Sequence, residues 1–164
     1  MLRKFVLPVV LFCALIAPAV ASAQKLVFVV RHAERADDGS MARESDPRLS
    51  VAGEARAAKL GGMLVDAGIR AIYATQFRRT QDTAKPLASR LKMEVELLPA
   101  TPEAVVAMLK ARHPNDVVLL VGHSNTVPTI VKALGGPDVT IGDAEYDNLF
   151  VIVPSAGTMT KIRY

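Results

Sequence analysis

This sequence of 164 residues has one cysteine, no internal repeat, no Gly/Ser-rich linker and little excess charge. A single cysteine excludes a disulfide framework. The lack of repeats and linkers excludes a solenoid or a string of modules, and leaves one domain with a sizeable core. The formal net charge is +4 from 20 basic and 16 acidic residues. Arg3 and Lys4 belong to a segment expected to be removed, and without them 18 basic residues face 16 acidic ones, or +2. That balance is too weak to call for a nucleic-acid partner.

The segment in question opens with Arg3 and Lys4, continues as an uncharged apolar run from Phe5 to Val20, and ends in Ala21-Ser22-Ala23. Basic start, apolar run and small-residue site are the three parts of a secretory signal peptide. Residues 1–23 are therefore expected to be a leader, with Gln24 the first residue of the mature chain and the periplasm its destination. A membrane anchor is the alternative, but the run is short for a span and holds Pro8 and Pro18. Cys13 follows the bulky Phe12, which argues against a lipoprotein site, and it leaves with the leader. No stable membrane insertion is expected after cleavage.

Downstream, apolar runs alternate with helical spacings. Leu26–Val30 is continuously apolar, as in a strand covered on both faces. A polar loop spans Ala36–Arg48. Ser50 is a candidate cap for a helix carrying Val51, Ala55, Ala58, Leu60 and Leu64 and closed by Gly68. Ala71–Ala74 reads as a short strand. Thr80, Ala84, Leu87 and Leu91 share one helical face, which Pro86 should kink. Glu94–Leu97 reads as a strand that turns Glu94 and Glu96 to one solvated face. Thr101 and Pro102 open a helix through Leu109. Val117–Val121 is a second buried strand. Asn125 can cap a helix to Leu134, stopped by Gly135-Gly136, with Pro128 tolerated in its first turn. Leu149–Val153 and Thr158–Ile162 read as a hairpin. The alternation predicts a three-layer α/β/α sandwich around a mainly parallel sheet, filling 24–164 as one domain.

His32 in "VVRHAE" and His123 in "LLVGHSN" each follow a buried strand. Both thus fall at strand carboxyl ends, where open α/β sheets bind ligands. The helix after His123 points its amino terminus at the same edge, which favours an anion. "YATQFRRTQDTA" brings Arg78 and Arg79 there, after another strand. Arginine suits phosphate through paired hydrogen bonds. A neutral histidine beside arginines is a competent nucleophile toward phosphorus. A metal site would need a third protein ligand besides His32 and His123, and the arginines would repel a cation; no cofactor is called for. His113, between a helix and a proline, is expected at the surface.

These segments together resemble the histidine phosphatases, the phosphoglycerate mutase-like superfamily. "VVRHAE" resembles its Arg-His-Gly/Ala-Glu signature. "YATQFRRTQDTA" resembles its Ser/Thr-x-x-x-Arg-x-x-x-Thr segment, with Thr75 and Arg79 in the matching places. "VGHSN" resembles its second-histidine motif, and "LSVAGEARAAKLGGML" the helix between the first two motifs. The resemblance runs in order from Lys25 to Tyr164. It implies that His32 is a nucleophile that becomes phosphorylated, that Arg31 and Arg79 grip the phosphoryl oxygens, and that His123 donates to them, with Asn125 also at the phosphate. It implies a histidine acid phosphatase-type monoester hydrolase. Glu34 either orients one of the cations or makes a structural salt bridge.

One part of the family pattern is missing. Larger members carry an insertion, between the second and third motifs, that supplies a glutamate to protonate the leaving group. Here about forty residues separate Arg79 from His123, and a strand and a helix use most of them. Glu145 and Asp147 in "DAEYDNLF" are the candidate acids, with Glu34 a third. Without an acid, good leaving groups are favoured. Met41 to Asp46 is either a substrate-selecting rim or simply a loop. Two rival functions stay open: a non-catalytic periplasmic anion-binding protein and a phosphomutase. A sugar phosphate, a lipopolysaccharide phosphate and a phosphoprotein all remain candidate substrates.

Overall fold

The computed structural model describes residues 26–36 and 46–164. The expected leader and most of the 41–46 loop lie outside the described residues. The elements run β1 (Leu26–Arg31), α1 (Val51–Leu64), β2 (Ile69–Ala74), α2 (Arg78–Leu91), β3 (Val95–Leu97), α3 (Pro102–Arg112), β4 (Val117–Gly122), α4 (Thr126–Ala133), β5 (Asn148–Val153) and β6 (Thr158–Arg163). Among the described residues the strands form one sheet in the order β3-β2-β4-β1-β5-β6. The four strands from β3 to β1 are parallel, and the β5–β6 hairpin adds to them antiparallel.

The alternation of side chains across the strands builds two cores. Val27 and Val29 of β1, Val118 and Leu120 of β4, and Tyr73 of β2 face α3 and α4. Phe28 and Val30, Leu119 and Val121, and Ile72 face α1 and α2. Both faces are thus covered, which is why β1 and β4 are apolar without interruption. The three layers are those the sequence predicts. No helix among the described residues is long and apolar enough to cross a membrane.

Local chemistry sets the helix starts. Ser50 accepts from Gly53 N at 3.1 Å, and Thr101 accepts from Ala104 N at 3.2 Å with Pro102 just after it. Each cap satisfies one of the amide donors that a helix start leaves over. Asn125 does not cap as expected. It stands at the start of α4 with φ −93° and ψ −31° and makes no side-chain cap bond. Thr126 Oγ1 instead accepts from His123 N at 2.9 Å. This tight turn requires Gly122, because a Cβ there would lie 2.8 Å from Thr126 Oγ1. Pro86 sits inside α2, which continues past it to Leu91.

A second expectation is corrected at His113, which is buried rather than at the surface. Its Nδ1 lies 2.9 Å from Asp116 Oδ2, an acceptor, so Nδ1–H donates there. Nε2 then accepts from the Tyr73 hydroxyl at 2.8 Å. With both ring nitrogens satisfied, burial costs little. Glu94 and Glu96 are exposed, as expected, and Glu96 pairs with Arg112 at 2.9 Å.

Candidate active site

The two histidines meet because β1 and β4 are parallel neighbours in one register. Arg31 pairs with Gly122, so His32 and His123 leave adjacent strands side by side. His32 N donates to Gly122 O at 2.8 Å and ties the two exits together. The imidazole centroids are 5.3 Å apart. A cavity of about 660 Å³ is lined there by Arg31, His32, Arg79, His123, Asn125 and Tyr146, among others.

His32 is buried, and its Nδ1 lies 2.7 Å from Ala33 O. A carbonyl only accepts, so Nδ1 carries the proton and Nε2 keeps its lone pair. Burial, then the backbone bond pulling the other way, then His123, Arg79 and Arg31 bring the His32 pKa down to about 4. The loop that follows is fixed from outside. Ser50 N donates to Glu34 O at 2.9 Å, and a side chain at Gly53 would collide with that same carbonyl.

His123 is held by a chain of hydroxyls. Its Nε2 lies 2.9 Å from Thr75 Oγ1, and Thr75 Oγ1 lies 2.8 Å from Thr80 Oγ1. Thr80 gives its proton to the Phe77 carbonyl at 2.7 Å, so Thr75 donates to Thr80 and accepts from His123 Nε2–H. The Nδ1 of His123 then holds the lone pair, 3.5 Å from Arg79 Nη2. Burial first, then Arg79 and Arg31, lower its pKa to about 4. Both imidazoles are therefore neutral near pH 7.

Arg31 is almost fully buried, and its Nη1 donates to Gly142 O, Asp143 O and Glu145 O at 2.9, 3.0 and 3.2 Å. Tyr146 stacks on it, 4.1 Å from guanidinium carbon to ring centroid. Arg31 Nε is buried with no partner among the described residues. A buried donor without an acceptor is what a bound anion would satisfy. Arg79 stacks on Phe77 at 4.4 Å and pairs with Asp46 at 3.4 Å. Asp46 also accepts from Arg78 N with both oxygens at 2.9 Å, and so caps α2.

The structure therefore brings together His32, His123, Arg31, Arg79 and Asn125. It does not place the candidate acids with them. Glu34 forms a two-pronged ion pair with Arg56, as short as 2.7 Å. Burial works against its charge, yet the Arg56 bonds hold its carboxyl below the ordinary range. Glu145 accepts from Gly142 N at 2.9 Å and pairs with Arg163 at 3.2 Å. That backbone donor first, and the nearby cations, keep it ionised. Asp147 pairs with Arg163 at 3.1 Å. A general acid must hold a proton and reach the leaving group, and these three carboxylates are committed to arginines instead.

Sequence reading missed Tyr146, Phe77 and the carbonyls of 142–145 as parts of the site, and named Asp46 only as the end of a possible rim. An aromatic within the acidic loop "DAEYDNLF" was the one available sign of Tyr146.

Fold and site define a three-layer α/β protein whose strand ends hold paired histidines and arginines around a pocket. Residues 27–104 match the family model of the histidine phosphatase superfamily (branch 1). The protein histidine phosphatase SixA, solved with tungstate, superposes with a TM-score of 0.65 at 21% identity, covering 84% of this chain and 94% of that one. Mycobacterial glucosyl-3-phosphoglycerate phosphatase gives a TM-score of 0.59 at 17% identity, covering 77% and 88%. No curated protein sequence matches significantly.

Proposed function

We propose that this protein is a phosphomonoester hydrolase that works through a phosphohistidine on His32. The observation that carries this reading is the neutral His32, with Nδ1–H fixed on Ala33 and Nε2 free, between two arginines. The family match and the phosphatase neighbours support it. Nε2 attacks phosphorus, and the ester P–O bond breaks with its electron pair on the leaving oxygen. Water then attacks phosphorus, the N–P bond breaks, and its pair returns to Nε2. The leaving oxygen takes the proton that water gives up. Arg31, Arg79 and the start of α4 hold the phosphoryl oxygens throughout, which is most of the catalysis this chemistry needs. His123 protonates at Nδ1 once the dianion arrives and donates to it.

Plain anion binding would need the arginines but not a histidine with its lone pair freed by a backbone carbonyl. A mutase would need a pocket closed to water, whereas among the described residues this cleft is open. An acid phosphatase-type activity is part of the proposal, supported by the lowering of both histidine pKa values to about 4, which keeps the nucleophile neutral in mild acid. The test is transfer of label from a ³²P-aryl phosphate to the protein. An acid-labile, base-stable adduct is expected, and turnover without one would reject the mechanism.

The two histidine pKa values give a second expectation. Both lie near 4, below the ordinary 6.5, so the unfolded chain binds more protons between those values. Stability of the ligand-free protein should fall as pH is lowered from about 6.5 to about 4. The Cε1–H resonances of His32 and His123 should titrate near pH 4, and added tungstate should move the His123 midpoint upward. Midpoints near 6.5 for His32 and His123 in the free protein would contradict this.

Export is part of the proposal and rests on the leader pattern of residues 1–23. Mass spectrometry of protein from the native host should show Gln24 as the first residue. Soluble protein beginning at an intact Met1 would overturn it.

A further inference from the structure

Beside the phosphate pocket lies a second cleft of about 220 Å³, lined by the 98–102 connection, by Val105 of α3 and by Thr129 and Ile130 of α4. The two share Phe77, His123 and Thr126, so a group leaving the phosphorus site past the Phe77 ring enters the cleft. Its walls are Leu98, Pro99, Ala100, Pro102, Val105 and Ile130. Its polar side chains are Gln76, His123 and four threonines, and each threonine hydroxyl has one protein partner at least. Thr101 Oγ1 accepts from Ala104 N, and Thr129 Oγ1 donates to Thr126 O. Thr75 Oγ1 lies between His123 and Thr80, and Thr126 Oγ1 accepts from His123 N. Among the described residues no Asp, Glu, Lys or Arg side chain lines the cleft. A sugar carries several hydroxyls, and against the apolar walls most of them would be desolvated without a partner, which is costly.

From this geometry we infer that the cleft is the leaving-group subsite and that it selects aryl phosphomonoesters. The inference rests on the phosphatase reading above and adds the class of substrate. Size fits it: an apolar cavity of about 150 Å³ holds benzene, so this cleft has room for one or two rings. Reactivity fits it as well. Glu34, Glu145 and Asp147 are tied to arginines, and a phenol-type oxygen departs as an anion without a general acid. Phe77 presents an aromatic surface at the junction, on which a ring can pack.

The test compares 1-naphthyl phosphate with acetyl phosphate, whose small leaving group also departs without an acid. The KM for naphthyl phosphate should be at least about tenfold lower, the usual scale for filling an apolar subsite. Ala100 and Thr129 are exposed at the cleft. Ala100→Trp and, separately, Thr129→Trp should each lower the naphthyl-to-acetyl ratio of kcat/KM by about tenfold. Equal KM values, or ratios unmoved by both variants, would overturn the subsite while leaving the phosphatase reading intact. Failure to hydrolyse either compound would overturn both.

Discussion

His32→Ala is expected to lower kcat on an aryl phosphate by about 10⁴ or more, the scale seen when a covalent nucleophile is removed. The His32 imidazole keeps a lone pair on Nε2 in the pocket, whereas the lone pair of His123 Nδ1 faces Arg79 Nη2 at 3.5 Å. The Nδ1–H of His32 is spent on Ala33 O, and burial keeps the ring neutral. Alanine removes the attacking atom and leaves the arginines in place. Binding of tungstate should therefore persist in the variant while phosphoenzyme disappears. A variant that retained more than about a tenth of the activity would transfer the nucleophile's role to another group or to water.

Arg31→Lys is expected to lower kcat/KM by about 10²–10³, the usual effect of losing one well-placed donor to a charge that builds in the transition state. Charge alone is conserved, so the loss measures geometry. Nη1 is committed to three carbonyls of the 142–145 segment, and Tyr146 covers the guanidinium plane. The unpartnered Nε is left for an anion. An ammonium cannot serve the loop and the phosphate at once, and it has no plane for Tyr146 to cover. The variant should also loosen the 142–146 loop, visible as faster amide exchange there. A loss smaller than about fivefold would mean that Arg79 and the start of α4 suffice to hold the phosphoryl group.

Most of the fold was written in local pattern. The uninterrupted apolar runs of β1 and β4 announced strands covered on both faces, and Ser50, Thr101 and Pro102 announced helix starts. The parallel pairing of β1 with β4 then puts His32 and His123 side by side at the carboxyl ends of the strands. The sequence could name these two histidines and Arg79 because each closes or follows a recognisable strand. Tertiary structure alone decided what holds them. Arg31 meets Gly142 across 111 positions, Glu34 meets Arg56 across 22, and Tyr73 meets His113 across 40. Such pairs leave no period of two or 3.6 in the chain, since they depend on where the folded layers bring distant loops. The fate of the acidic residues was hidden for the same reason. A carboxylate in a loop reads the same whether it faces a substrate or an arginine, and here the fold set Arg56 and Arg163 beside Glu34, Glu145 and Asp147.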